Sequence, residues 1–223
     1  MARTLESKRK GPAPGTARSI VVFLHGYGAD GADLLGLADP LSEHMPGTAF
    51  HAPDAPERSV VNPMGYQWFP IPWLDGSDPV EADAAMDRAA HDLDGYLSRV
   101  LEDEGLDADR MVVVGFSQGT MMALHVVLRR AESVAGIVGF SGRLLRPESL
   151  VDEITSRPPV LLVHGDQDDV VPPQSLPAAA EALQGAGLDV FAHVSKGTAH
   201  GIAPDGLSVA LAFMRDRLDL EGG

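Results

Sequence analysis

Three groups of residues in this chain could do chemistry together. They are a serine in Gly115–Phe116–Ser117–Gln118–Gly119, carboxylates in Asp166–Gln167–Asp168–Asp169, and a histidine in Gly197–Thr198–Ala199–His200–Gly201. A serine hydroxyl is a poor nucleophile at neutral pH. It needs a neighbouring base, and the base needs a third group that holds its tautomer. The G-x-S-x-G pattern around Ser117 has a mechanical reason. A serine on a sharp strand-to-helix turn leaves almost no room for side chains two positions before and after it, because strand and helix backbones nearly touch there. The turn also sets the hydroxyl at a helix N-terminus, where free N–H groups favour developing negative charge. Taken alone, the same five residues could be a helix N-cap between turn glycines. The surrounding elements decide between the two.

Val112–Val114 is a short buried-strand signal, and the apolar run Thr120–Leu128 behind it reads as a buried helix. Ile20–Leu24 is a continuous apolar strand ending in His25–Gly26–Tyr27–Gly28. Asp30–His44 carries a helical pattern, Thr48–His51 reads as a strand, and Val80–Glu104 as a long amphipathic helix ended by Gly105. Its acidic face is expected to be solvated. Strands follow at Val134–Phe140, Pro159–His164 and Leu188–Val194, with helices at Gln174–Gln184 and Asp205–Leu220. Strands alternating with helices, several continuously apolar, predict an α/β fold with a mostly parallel central sheet covered by helices on both faces. Ligands in such sheets bind beyond the carboxyl ends of the strands. Gly26–Tyr27, Ser117, Asp166–Asp169 and His200 all fall at strand ends. The chain order Ser, Asp, His is the one an α/β-hydrolase imposes. On residue types alone, any of Asp166, Asp168 and Asp169 could orient His200.

The stretch 52–79 differs in character. It holds six of the chain's 17 prolines and four of its 12 aromatic residues. Proline at that density excludes a long helix or a central strand, and long irregular stretches in compact domains are usually functional. The expectation is a loop across the active-site face with a short edge strand near Gln67–Phe69. Tyr66, Trp68, Phe69 and Trp73 would then wall an apolar substrate pocket.

Composition narrows the partners. The 223 residues suit a single domain over 1–223, with 44% hydrophobic residues for a core. The net charge of −15 argues against nucleic acid and against stable association with an anionic membrane, since either needs clustered Lys and Arg. With no cysteine, disulfides and thiolate metal sites are excluded. Residues 1–18 read as a mobile or hairpin-forming start whose charges are solvated, and Met1–Ser19 lacks the apolar segment of a secretory signal. No run reaches the length of a membrane span. The expected location is cytoplasmic. His25 and His164 are expected to brace loops, and His125 to be a satisfied core residue. His44, His51, His91 and His193 have no convergent partner in the sequence. A metal could be drawn on His164, Asp166 and Asp168, but nothing in serine chemistry calls for one.

Four segments together carry a family resemblance. They are Phe23–Leu24–His25–Gly26–Tyr27–Gly28–Ala29–Asp30, Gly115–Phe116–Ser117–Gln118–Gly119, His164–Gly165–Asp166–Gln167–Asp168–Asp169–Val170–Val171–Pro172, and His200–Gly201. The chain resembles the small α/β-hydrolases without a separate lid domain that are grouped as carboxylesterases, acyl-protein thioesterases and lysophospholipases. The resemblance implies Ser117 as nucleophile, Asp168 as acid, His200 as base, and an oxyanion hole from the backbone N–H groups of Tyr27 and Gln118. It implies no cofactor and no metal, a small-molecule ester substrate, and a homodimer as one possible assembly. The family usually has leucine where Tyr27 stands, so the side chain there is a departure while the backbone donor is kept. The expected activity is a serine carboxylesterase acting on short-chain esters. Thioester and lysophospholipid hydrolysis are the alternatives within enzymes, and a non-catalytic binding protein on the same fold is the alternative outside them.

Overall fold

A computed structural model describes residues 2–220 of the chain. Its strands are β1 (Ser7–Lys10), β2 (Ser19–Leu24), β3 (Thr48–Pro53), β4 (Glu57–Arg58), β5 (Tyr66–Gln67), β6 (Met111–Phe116), β7 (Gly136–Phe140), β8 (Val160–Gly165) and β9 (Val190–Ser195). Seven of them form one sheet in the order β1-β3-β2-β6-β7-β8-β9, and β4 and β5 form a separate ribbon. From β3 to β9 every neighbouring pair is parallel. The helices are α1 (Gly31–Leu35), α2 (Ala38–Ser42), α3 (Pro72–Asp75), α4 (Pro79–Glu104), α5 (Gln118–Val127), α6 (Leu150–Glu153), α7 (Ser175–Gly185) and α8 (Pro204–Arg217).

Strand alternation divides the core between the two faces of the sheet. Ile20, Val22 and Leu24 pack with Met111 and Val113 against α4, α5 and α7. Val21 and Phe23 pack with Val112 and Val114 against α1, α2 and α8 on the other side. Both faces are covered, which is why β2 and β6 read as unbroken apolar runs rather than as alternating ones. Among the described residues no helix is long and apolar enough to cross a membrane.

Two expectations from the sequence are corrected here. The helical pattern over Asp30–His44 is two short helices, α1 and α2, separated at Gly36–Leu37. Pro40 has no N–H to give to the Gly36 carbonyl, and its ring crowds that carbonyl, so one continuous helix cannot pass. Within the stretch expected as a mobile or hairpin-forming start, residues 7–10 do not form a local hairpin. Ser7–Lys10 pairs antiparallel with β3 and closes one edge of the sheet, and the basic residues that looked merely solvated guard that edge against further pairing.

Arg9 does more than guard. Its Nε lies 2.7 Å from Glu104 Oε1 and its Nη2 3.0 Å from Oε2. His51 Nε2 is 2.8 Å from Oε1, and the Gly15 N–H donates to Oε2 at 3.2 Å. Glu104, the last residue of α4, is 3% exposed. The acidic face of α4 is therefore not wholly solvated: this carboxylate ties the first strand to the helix and gives His51 its partner. Asp92 does the same for Arg3, at 2.7 Å.

Burial works to raise the Glu104 carboxyl, but the bonds from Arg9, His51 and Gly15 outweigh it and hold it below its ordinary 4.5. Burial lowers the His51 imidazole from 6.5 against the opposing pull of Glu104. Because the folded value of Glu104 is depressed, its contribution is fully present above the unfolded value and is lost as pH falls through the folded one. A lowered histidine adds an acid-side cost of its own, beginning below its unfolded value. Replacing Glu104 by Ala strands Arg9 and His51 and is expected to cost about 3–5 kcal/mol at pH 7. Urea unfolding of wild type and Glu104→Gln should give two stability curves that converge as pH drops below 4.5. Parallel curves through that range would contradict the assignment.

Candidate active site

β6 ends at Phe116 and α5 begins at Gln118, so Ser117 alone makes the turn. Its backbone sits at φ 53° and ψ −115°, a region that non-glycine residues rarely occupy and that costs about 1–3 kcal/mol. A Cβ on Gly115 would lie 2.4 Å from the Thr120 nitrogen, and one on Gly119 would lie 1.9 Å from the Leu24 carbonyl oxygen. Both glycines are therefore required by contact, as the motif implied. The Ser117 N–H donates to the Phe140 carbonyl at 2.8 Å. The Thr120 hydroxyl reaches the carbonyls of Gly115 and Phe140, each at 2.8 Å. These bonds clamp the turn between β6 and β7.

His200 lies on the loop after β9, with Nδ1 2.8 Å from Asp168 Oδ2. The other Asp168 oxygen accepts from the N–H groups of Val170 and Val171 at 2.9 and 2.8 Å. Burial alone would raise this carboxyl. The bonds from His200, Val171 and Val170 prevail and hold it below the ordinary carboxylate range. An ionised Asp168 makes Nδ1 the donor and leaves Nε2 as the basic nitrogen. The Phe116 ring, 4.9 Å from the imidazole between centroids, supports it from the side. His164 braces a loop, as expected: its Nε2 donates to the Val171 carbonyl at 2.9 Å and lies 3.2 Å from Asp168 Oδ2.

The three neighbouring carboxylates thus separate. Asp166 accepts from the Gly197 N–H at 2.6 Å, so it ties its loop to the one bearing His200 instead of bonding within its own turn. Asp169 is exposed. Asp168 caps the turn that follows it, through its bonds from the Val170 and Val171 N–H groups.

Ser117, His200, Tyr27 and Gln118 line one cavity of about 420 Å³. The hydrogen bonds of the site do not include one between Ser117 Oγ and His200, a bond that often tightens only with substrate in place. The loop carrying Tyr27 is pinned to β5 by bonds from Gly28 N to Tyr66 O at 2.8 Å and from Tyr66 N to Ala29 O at 2.7 Å. Among the described residues, neither the Tyr27 nor the Gln118 N–H is bonded to a backbone acceptor. The Gln118 side chain has a role that the motif did not suggest. Its Oε1 accepts from Trp68 N at 2.9 Å and its Nε2 donates to Phe69 O at 2.7 Å. The amide's matched donor and acceptor fasten the irregular stretch to α5.

The aromatic residues of that stretch do not act together. Trp68 is fully buried and donates Nε1 to the His25 carbonyl at 3.0 Å. It belongs to the core and cannot wall a substrate pocket, because an indole sunk this deep satisfies its N–H inside the protein. Phe69 is buried and lines the adjoining cleft with Arg143 and Met86. Of the four, Tyr66 included, Trp73 alone lines the cavity of Ser117, where Ile71, Leu74, Met121 and Val170 complete an apolar wall. The edge strand is β5, paired with β4 rather than with the main sheet.

Of the remaining histidines, His25 and His193 find local partners. His25 Nδ1 bonds the Gly26 carbonyl at 2.8 Å while Nε2 accepts from Ala55 N at 3.0 Å. Burial lowers its pKa, so it stays neutral and braces the Tyr27 loop. His193 pairs with Asp205 at 2.8 Å on the surface. His125 is buried but not satisfied, since its Nδ1 has no partner among the described residues. Burial, then Arg129 and Arg146, lower it to about 4, and it too stays neutral.

Comparison with known proteins bears on the fold and the family. The profile of the Phospholipase/Carboxylesterase family matches residues 12–218. The crystal structure of esterase PE8 superposes with a TM-score of 0.91 at 42% identity, covering 97% of this chain and 100% of that one. Acyl-protein thioesterase 1 of Saccharomyces cerevisiae is 30% identical over 216 residues, 91% of this chain and 94% of that protein. Acyl-protein thioesterase 1 of Gibberella zeae is 29% identical over 226 residues, 93% and 94% of the two chains. The chain therefore belongs to the Phospholipase/Carboxylesterase family of α/β-hydrolases and is a serine hydrolase.

Proposed function

We propose that the chain is a carboxylesterase for small esters with short acyl groups, working through an acyl-enzyme on Ser117. The observation that carries this reading is the 2.8 Å bond between Asp168 and His200 beside the cavity that Ser117 also lines. Ser117 attacks the ester carbonyl while His200 Nε2 takes its proton. The Tyr27 and Gln118 N–H groups stabilise the tetrahedral oxyanion, a contribution of roughly 3–4 kcal/mol per donor. His200 returns the proton to the leaving alcohol, and water repeats the sequence to free the acid. Asp168 keeps the imidazole in the productive tautomer throughout.

The substrate size follows from the cavity. Its volume of about 420 Å³ lies toward the small end of the roughly 300–1,000 Å³ typical of small-molecule sites. The apolar wall of Ile71, Trp73 and Leu74 suits a short alkyl chain. Similarity to esterase PE8 at 42% identity favours an oxygen ester. The relatives named acyl-protein thioesterase favour a second reading, in which the scissile bond is a thioester. A butyrate ester and its matched thioester separate the two: the first reading predicts the larger kcat/KM for the oxygen ester, and the reverse order supports the second.

The roles lead to measurable outcomes. Ser117→Ala should keep the fold and lose covalent labelling by a serine-directed phosphonate; labelling retained at another serine would remove Ser117 from the mechanism. Asp168→Asn should lower kcat by about 10⁴ with KM little changed. Asp166→Asn should cost about 1 kcal/mol of stability through its lost bond to Gly197. A larger catalytic loss at position 166 would transfer the orienting role there. Across a series of p-nitrophenyl esters, kcat/KM should peak within about two to six acyl carbons, given the size of the cavity. A steady rise to long chains would overturn the short-chain reading.

A further inference from the structure

The cavity wall formed by Ile71, Trp73 and Leu74 is built on very little. α3 is a single turn with no buried residue, and Trp73 on it is 73% exposed. Its N-terminal residue Ile71 offers no side-chain cap, and hydrophobic burial does not hold it down. One carboxylate does that work. Asp75 Oδ2 accepts from the Ile71 N–H at 2.7 Å and from the Tyr27 hydroxyl at 2.9 Å, while Oδ1 accepts from the Ser77 N–H at 3.0 Å. Two of these bonds are internal to the turn. The bond from Tyr27 leaves it and reaches the loop whose backbone faces Ser117.

From this geometry we infer that the Tyr27–Asp75 hydrogen bond is a latch that sets the position of the Ile71–Trp73–Leu74 wall, and so determines acyl-chain specificity. Tyr27 is then a positioning residue through its side chain, apart from whatever its backbone N–H does at the oxyanion. The chemistry suits a permanent latch. Burial, then the bond to Asp75 and its charge, push the Tyr27 hydroxyl up to about 12, so it remains a donor at working pH. Burial works to raise Asp75, but the bonds it accepts prevail and keep it ionised. On the outer side, the Arg143 guanidinium lies 4.9 Å over the Trp73 ring, which limits outward swing without fixing the depth of the wall. A leucine at position 27 would offer no donor to Asp75.

The inference rests on the esterase reading of this cavity, and the test separates the two. KM and kcat are measured on p-nitrophenyl acetate, butyrate and hexanoate for wild type, Tyr27→Phe, Asp75→Ala and the double variant. Tyr27→Phe removes one hydroxyl and leaves the backbone N–H in place. It is expected to raise the hexanoate KM about tenfold, the scale of one hydrogen bond to a charged group, and to move the acetate-to-hexanoate preference toward acetate. The double variant should raise that KM no further than Asp75→Ala alone, because the two residues act through one bond. An equal fall in kcat on all three esters, or additive effects in the double variant, would overturn the latch and leave a merely structural tyrosine. Should Tyr27→Phe not fold, Asp75→Ala carries the same expected shift in preference from the other side of the bond. A wild-type protein with no turnover of any ester would refute the esterase reading itself; wild-type turnover with an unchanged preference in the variants refutes the latch alone.

Discussion

The site depends on how closely α5 approaches the strands that precede it. At Gly119 the helix backbone comes so near the end of β2 that a Cβ would sit 1.9 Å from the Leu24 carbonyl. At Gly115 the strand comes equally near the first turn of the helix. A helix that starts this abruptly forces Ser117 into a conformation serine does not prefer. That strain is held by the sheet, through Ser117 N–H to Phe140 and Thr120 to Gly115 and Phe140. The same close approach puts the Gln118 N–H next to Ser117, so the proposed oxyanion donor and the proposed nucleophile are consequences of one contact.

Around this rigid turn the other groups arrive on loops, and each loop is tied by polar bonds rather than by bulk. Asp168 has both oxygens engaged and is braced by His164. Asp166 joins its loop to that of His200. His25, kept neutral by burial, and the β5 backbone hold the Tyr27 loop. Such preorganisation lets donors aimed at a developing charge act without reorganising during the reaction.

Much of this was legible in the sequence because it rests on local rules. Continuous apolar runs marked the buried parallel strands, G-x-S-x-G marked the turn, and polar residues at strand ends marked the site. What escaped were interactions that only tertiary structure brings together. Ser7–Lys10 has no strand pattern and became a strand because β3 offered an unpaired edge. Glu104 looked like one more surface carboxylate of α4, yet it anchors Arg9 and His51. Trp68 and Trp73 stand five positions apart in the same proline-rich stretch, one in the core and one on the cavity, and composition could not tell them apart. Gln118 was identified for its backbone, while its side chain fastens the stretch that carries both.

In the proposed mechanism, turnover passes through a covalent ester on Ser117. Rapid acid quench during turnover of p-nitrophenyl butyrate, followed by peptide mass spectrometry, tests it directly. The expected result is a butyryl adduct on the peptide bearing Ser117, absent from Ser117→Ala. An adduct on a different residue, or full turnover by Ser117→Ala, would contradict it.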